Sequence, residues 1–160
     1  MAQGPEQWGL IERGVRLPPR QGARASQLIE HPAEIPLRVR SLSRSGPRLE
    51  DPGLGGIRFT APRAIPPGTF VELTTQVGGA PIALEGMIIA WTRRRGETRL
   101  AMAFMDHRTA FEGRMYEQAC HIEAYRLRNA ARGRALTTDQ AAEEWINRYS
   151  AAFPGLACSP

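Results

Sequence analysis

The chain has 160 residues, 42% of them apolar, but no apolar run approaches the ~18 residues of a transmembrane helix. Two cysteines, Cys120 and Cys158, are too few for a disulfide framework or a zinc site. The net charge is +5, carried entirely by arginine because lysine is absent, so a lysine-bearing phosphate loop is excluded.

The charge is uneven along the chain. Residues 1–48 hold eight arginines against four acids, residues 49–107 six against six, and residues 108–160 seven against six. Residues 1–33 read as an arm rich in Gly, Pro, Gln and Arg, with Trp8, Leu10 and Ile11 as a small apolar island and Leu28-Ile29 able to dock onto a domain. Met1 to Arg20 lacks the apolar segment of a secretory signal, and the expected location is cytoplasmic.

Short strands follow. Ile35 to Ser43 alternates through Leu37 and Val39. Leu49-Glu50-Asp51-Pro52-Gly53-Leu54-Gly55-Gly56 then forms an acid-and-glycine turn leading into Ile57 and Phe59. Thr69 to Val77 alternates through Val71, Leu73 and Thr75, and Thr98 to Met105 through Leu100, Met102 and Phe104. Between them, Ile82 to Thr92 shifts phase around Gly86, as at a bulge or barrel corner. Gly/Pro links between such strands predict a small antiparallel β-barrel of about six strands over residues 34–106.

The period then changes. Phe111, Met115, Gln118, Ile122 and Tyr125 recur at helical spacing, which predicts one amphipathic helix over about 108–131 with that stripe as its apolar face. Gly133 is a stop signal, and Thr137 with Gln140 fits a capping box opening a second helix that carries Ala142, Trp145, Ile146 and Tyr149. Residues 107–153 thus form a helical extension, and Pro154 begins a tail over 154–160. Trp145 and Tyr149 are expected to pack into the core, with a contact surface for a protein partner as the alternative.

Catalytic signatures are missing. His31, His107 and His121 show no ligand-like spacing to one another or to the cysteines, so no metal and no cofactor are expected. No serine occupies a nucleophile elbow, and Glu50 and Asp51 are adjacent, which puts them on opposite faces of a strand. The expected class is a binding module, not an enzyme.

Several pieces in order resemble the PilZ domain family, the bacterial receptors for cyclic di-GMP. They are Asp51-x-Gly53-x-x-Gly56 followed by Ile57-Arg58-Phe59, the run Pro67-Gly68-Thr69-Phe70-Val71-Glu72-Leu73, Gly86-Met87-Ile88-Ile89-Ala90-Trp91, and Leu100-Ala101-Met102-Ala103-Phe104. The helix from Phe111 to Arg126 is similar to the tail of a proteobacterial PilZ subgroup. The resemblance implies a barrel with C-terminal helices and a ligand rim formed by Asp51, Gly53 and Gly56, closed by Arg20 and Arg24 from the arm. Arginine suits this ligand because it pairs with phosphate and forks onto the guanine edge.

The chain also departs from the family pattern. With His31-Pro32 marking the entry to the first strand, the family's two arginine positions hold Ser26 and Glu30, and its serine position holds Gly53. A carboxylate at residue 30 repels phosphate. Two functions therefore stand at this point: a cyclic di-GMP effector that passes its signal to a protein partner, and a degenerate PilZ adaptor acting by protein–protein contact alone. Nucleic-acid binding by the arm ranks below both, because the arm has few aromatic residues to interleave with bases.

Overall fold

A computed structural model describes residues 28–42 and 52–153. Its strands are β1 (Leu28–Glu30), β2 (Arg38–Ser41), β3 (Gly56–Ala61), β4 (Phe70–Val77), β5 (Ala80–Arg94) and β6 (Glu97–Ala103), followed by helices α1 (His107–Ala131) and α2 (Thr138–Tyr149). The fold is mainly β. The six strands form one mixed sheet in the order β1-β3-β6-β5-β4-β2, antiparallel except for the parallel pair β1–β3.

The expected barrel is not closed, and β1 and β2 are the sheet's two edges. The sheet does turn a corner inside β5. Residues Ala80–Met87 pair with β4, Met87–Arg94 pair with β6, and the register slips between Ile88 and Ala90, just after Gly86. A strand that leaves one neighbour for another at a bulge bends the sheet without closing it.

Alternation decides which side chains face the core. Ile57 and Phe59 of β3, Leu100 and Met102 of β6, and Val71 and Leu73 of β4 point inward, while Arg58, Thr60 and Arg99 stand on the other face. The inner face is covered by α1 and α2 through Ala110, Tyr116, Cys120, Ala124, Tyr125, Ala141 and Trp145. Phe70, Met87 and Met105 form a separate small cluster with Leu42.

The apolar face of α1 follows the predicted stripe only in its second half, where Tyr125 is buried and Ile122 packs against the core. Phe111 is 61% exposed and Met115 42% exposed. The helix buries Ala110, Gly113, Tyr116, Glu117, Cys120, Ala124 and Tyr125. The cause is close approach. A Cβ on Gly113 would lie 2.1 Å from the ring of Phe104, which is itself fully buried, so only small residues let the helix lie this near the sheet.

Capping fixes both helix starts. Asp106 accepts from the Thr109 N–H while the Thr109 hydroxyl takes the Asp106 N–H, and Thr137 with Gln140 forms the second capping box, as predicted. Trp145 is buried, as expected, whereas Tyr149 is 44% exposed.

Gly113→Ala should lower stability in urea denaturation. Overpacking against Phe104 costs about 1–3 kcal/mol, which outweighs the ~1 kcal/mol gain in helix propensity. Adding Phe104→Leu should recover part of the loss. A Gly113→Ala protein more stable than wild type would refute the close-packed face.

Candidate functional site

The residues named from sequence are divided by the structure. Arg20, Arg24, Ser26 and Asp51 lie outside the described residues. Gly53 is exposed in a short turn of 3-10 helix, Pro52–Leu54, and Gly56 opens β3. Gly56 has a structural reason to be glycine. It sits between β1 and β6, opposite Leu28 and Ala103, and a Cβ there would fall 2.0 Å from the Met102 carbonyl oxygen. Gly55, just before it, holds φ at 85°, a left-handed value that favours glycine.

Glu30 is central. It ends β1, opposite Arg58 in the parallel ladder, and its carboxylate bridges two arginines on the outer sheet face. One oxygen accepts from Arg58 Nη1 at 2.8 Å, and the other accepts from Arg99 Nη2. Arg58 and Arg99 come together because β3 and β6 are neighbours and both side chains alternate outward. The Glu30 side chain is about half exposed and that of Arg58 only 15% exposed, so this is a surface cluster with one arginine sunk against the sheet.

Helix α1 holds Glu30 in place from behind. The main-chain oxygen of Glu30 accepts from His121 Nε2 at 2.8 Å, and the His31 N–H donates to the Arg58 carbonyl at 2.9 Å. The His31 side chain then turns into the core. Its Nε2 meets the Ile35 carbonyl at 2.9 Å, and its Nδ1 meets Glu117 Oε1 at 2.8 Å. A carbonyl only accepts, so Nε2 carries a hydrogen, and the Nδ1–Oε1 contact holds one further proton.

Glu117 is completely buried and comes from the small-residue face of α1. Its second oxygen, Oε2, has no hydrogen-bond partner and lies 3.8 Å from His121 Nε2. The Tyr116 hydroxyl is also buried without a partner.

The two histidines are pushed in opposite directions. Burial depresses His31, but the hydrogen bond and charge of Glu117 and the Ile35 carbonyl outweigh it and raise the pKa above the usual 6.5. His121 is lowered, chiefly by burial, against the pull of Glu117 and the Glu30 carbonyl. Its ring is covered by Trp145 of α2 at 6.1 Å and by Phe153, just after that helix, at 5.4 Å between centroids. Burial also raises the Cys120 thiol and the Tyr116 phenol, and Glu117 adds to both shifts.

A groove of about 370 Å³ runs along the β1 edge beside this cluster, lined by Leu28, Glu30, His121, Trp145, Tyr149 and Phe153 among others. It is mostly apolar and open.

Sequence reasoning placed Glu30 at the family's arginine position but did not find Arg58, Arg99 or Glu117. Arg58 and Arg99 are legible only as outward positions of two strands not known to be neighbours. Glu117 stands 86 residues from His31. Its signal was a lone acid among the small residues Gly113, Cys120 and Ala124.

No family model, no curated protein and no solved structure matches the chain.

In metal-stripped protein, proton NMR titration should give His31 a pKa above 6.5 and His121 one below it. A raised folded pKa means that the stability contributed by His31 is complete below pH 6.5 and is lost as pH rises through the folded value. The His121 contribution is present above pH 6.5 and is lost as pH falls through its lowered value. The reverse order of the two pKa values would refute the assigned partners.

Proposed function

We propose that this protein is a PilZ-like bacterial signalling module that acts as an adaptor, through protein–protein contact and without nucleotide. The observation that carries this reading is the engagement of Glu30. In the PilZ register, residue 30 is an arginine position that would face ligand phosphate. Here it is a carboxylate, and it occupies the two arginines nearest to it. An anionic ligand approaching Arg58 and Arg99 would have to displace an anion already bonded to both and fixed through its main chain by His121.

Exposed apolar surface supports the adaptor reading. Phe111 and Met115 project from one turn of α1 to the next, and Ile146 and Tyr149 do so on α2 beside the open groove. These residues offer a partner apolar contact that the sheet does not use.

A second reading, cyclic di-GMP binding at Asp51, Gly53 and Gly56, retains one specific observation. Arg58 lies two residues after Gly56 on the same strand, and Arg99 lies beside it, so two phosphate- or guanine-directed groups stand close to that turn. Removing Glu30 would take away the carboxylate that competes with an anionic ligand at these two groups.

Calorimetry separates the two readings. Wild-type protein titrated with cyclic di-GMP to ~100 μM should give no saturable heat, a ceiling corresponding to weaker than about −5.5 kcal/mol. Saturable binding that is lost in Arg58→Ala would replace the adaptor with a nucleotide receptor. A partner captured by the wild-type chain should be retained with or without cyclic di-GMP, and Phe111→Glu should weaken its capture at least tenfold.

A further inference from the structure

Behind the surface cluster, His31, Glu117 and Cys120 converge inside the protein. Each offers one donor atom, and the three atoms all lie within 4.8 Å of one another. Glu117 and Cys120 are fully buried, and the His31 side chain is 5% exposed. Glu117 and Cys120 are three residues apart on α1 and share its sheet-facing side, while His31 reaches in from the segment after β1.

We propose that His31 Nδ1, the Glu117 carboxylate and Cys120 Sγ form a binding site for a divalent transition metal, with zinc as the fitting ion.

Three independent features support this assignment. The first is orientation. His31 Nε2 donates to the Ile35 carbonyl, which leaves Nδ1 as the nitrogen directed at the cluster. Metal-ligating histidines are commonly oriented by such a hydrogen bond from the other ring nitrogen. The second is the unpartnered polar atom. Glu117 Oε2 is buried with no hydrogen-bond partner, which is costly for a carboxylate unless a cation or donor meets it.

The third is charge. The dication, one carboxylate, one thiolate and one neutral imidazole sum to zero, which suits a site buried away from water. Loading expels two protons, the one held between His31 Nδ1 and Glu117 Oε1 and the one on the Cys120 thiol, as two positive charges enter. Nitrogen, oxygen and sulfur donors together favour zinc over the hard cations magnesium and calcium. Zinc bonds of about 2.0–2.3 Å place donors roughly 3.3–3.7 Å apart. The cluster therefore needs only side-chain adjustment to close. Bound metal would tie α1 to the exit of β1, next to Glu30.

The test uses cobalt(II) and zinc alone on the full chain. Protein refolded with one equivalent of cobalt should show a thiolate-to-cobalt charge-transfer band and tetrahedral visible bands that saturate at one metal per chain. Excess zinc should abolish them, and zinc should raise the melting temperature. Cys120→Ser should lose the charge-transfer band while keeping the wild-type circular dichroism spectrum, and Cys158→Ser should keep the band. Absence of the band in wild type overturns the proposal, and so does a band that survives Cys120→Ser or disappears in Cys158→Ser. Should Cys120→Ser fail to fold, Cys120→Ala and the wild-type cobalt stoichiometry decide the matter in the same way.

Discussion

One buried contact, His31 to Glu117, connects two elements that lie 86 residues apart in the sequence. Glu117 lies on the face of α1 that presses on the sheet, where a carboxylate can be tolerated only with a partner. His31 is that partner, and it immediately follows the edge strand β1. The contact therefore fixes α1 against the sheet and fixes β1 beside β3. His121, one helical turn after Glu117, completes the attachment by donating to the Glu30 carbonyl. Removing one member of such a pair leaves an uncompensated polar group in the core, a loss of about 3–5 kcal/mol.

The surface chemistry depends on this attachment. A three-residue edge strand has little cohesion of its own, and β1 pairs with β3 only through Leu28, Ile29 and Glu30. With its main chain held from behind, the Glu30 side chain is presented to Arg58 and Arg99 in a defined position. The electrostatic identity of this face, two arginines bridged by one carboxylate of the same chain, thus depends on a helix on the opposite side of the sheet. A protein partner that shifted α1 would reach Glu30 through His121 and His31. That chain of contacts is the physical route from the helices to the sheet edge that the proposed adaptor reading would use.

Much of the sheet was legible in the sequence because its strands obey simple alternation. Val71, Leu73, Leu100, Met102, Ile57 and Phe59 all face inward as the pattern predicts. The bulge in β5 was announced by a phase shift at Gly86. The first half of the buried face of α1 was misread because periodicity weights bulky apolar groups such as Phe111 and Met115, whereas the helix meets Phe104 through Gly113 and buries Ala110 beside it in sequence. Strand β1 escaped because three residues carry no period, and its partner lies 28 residues on in a parallel pairing. The Gly56 assignment shows the same ambiguity from the other side. The residue matches a motif position, but the close approach of the Met102 carbonyl accounts for a glycine there without a ligand.

A double-mutant cycle on His31 and Glu117 tests the central contact most directly. His31→Leu, Glu117→Leu and the double variant would be compared with wild type by urea denaturation of the metal-stripped full chain. The two single changes each orphan a buried polar partner, whereas the double change removes both partners. The double variant should therefore be more stable than the sum of the single losses implies, by at least about 1 kcal/mol of coupling. Losses that add to within about 0.5 kcal/mol would mean that the two side chains do not act together, and the account built on their contact would fail.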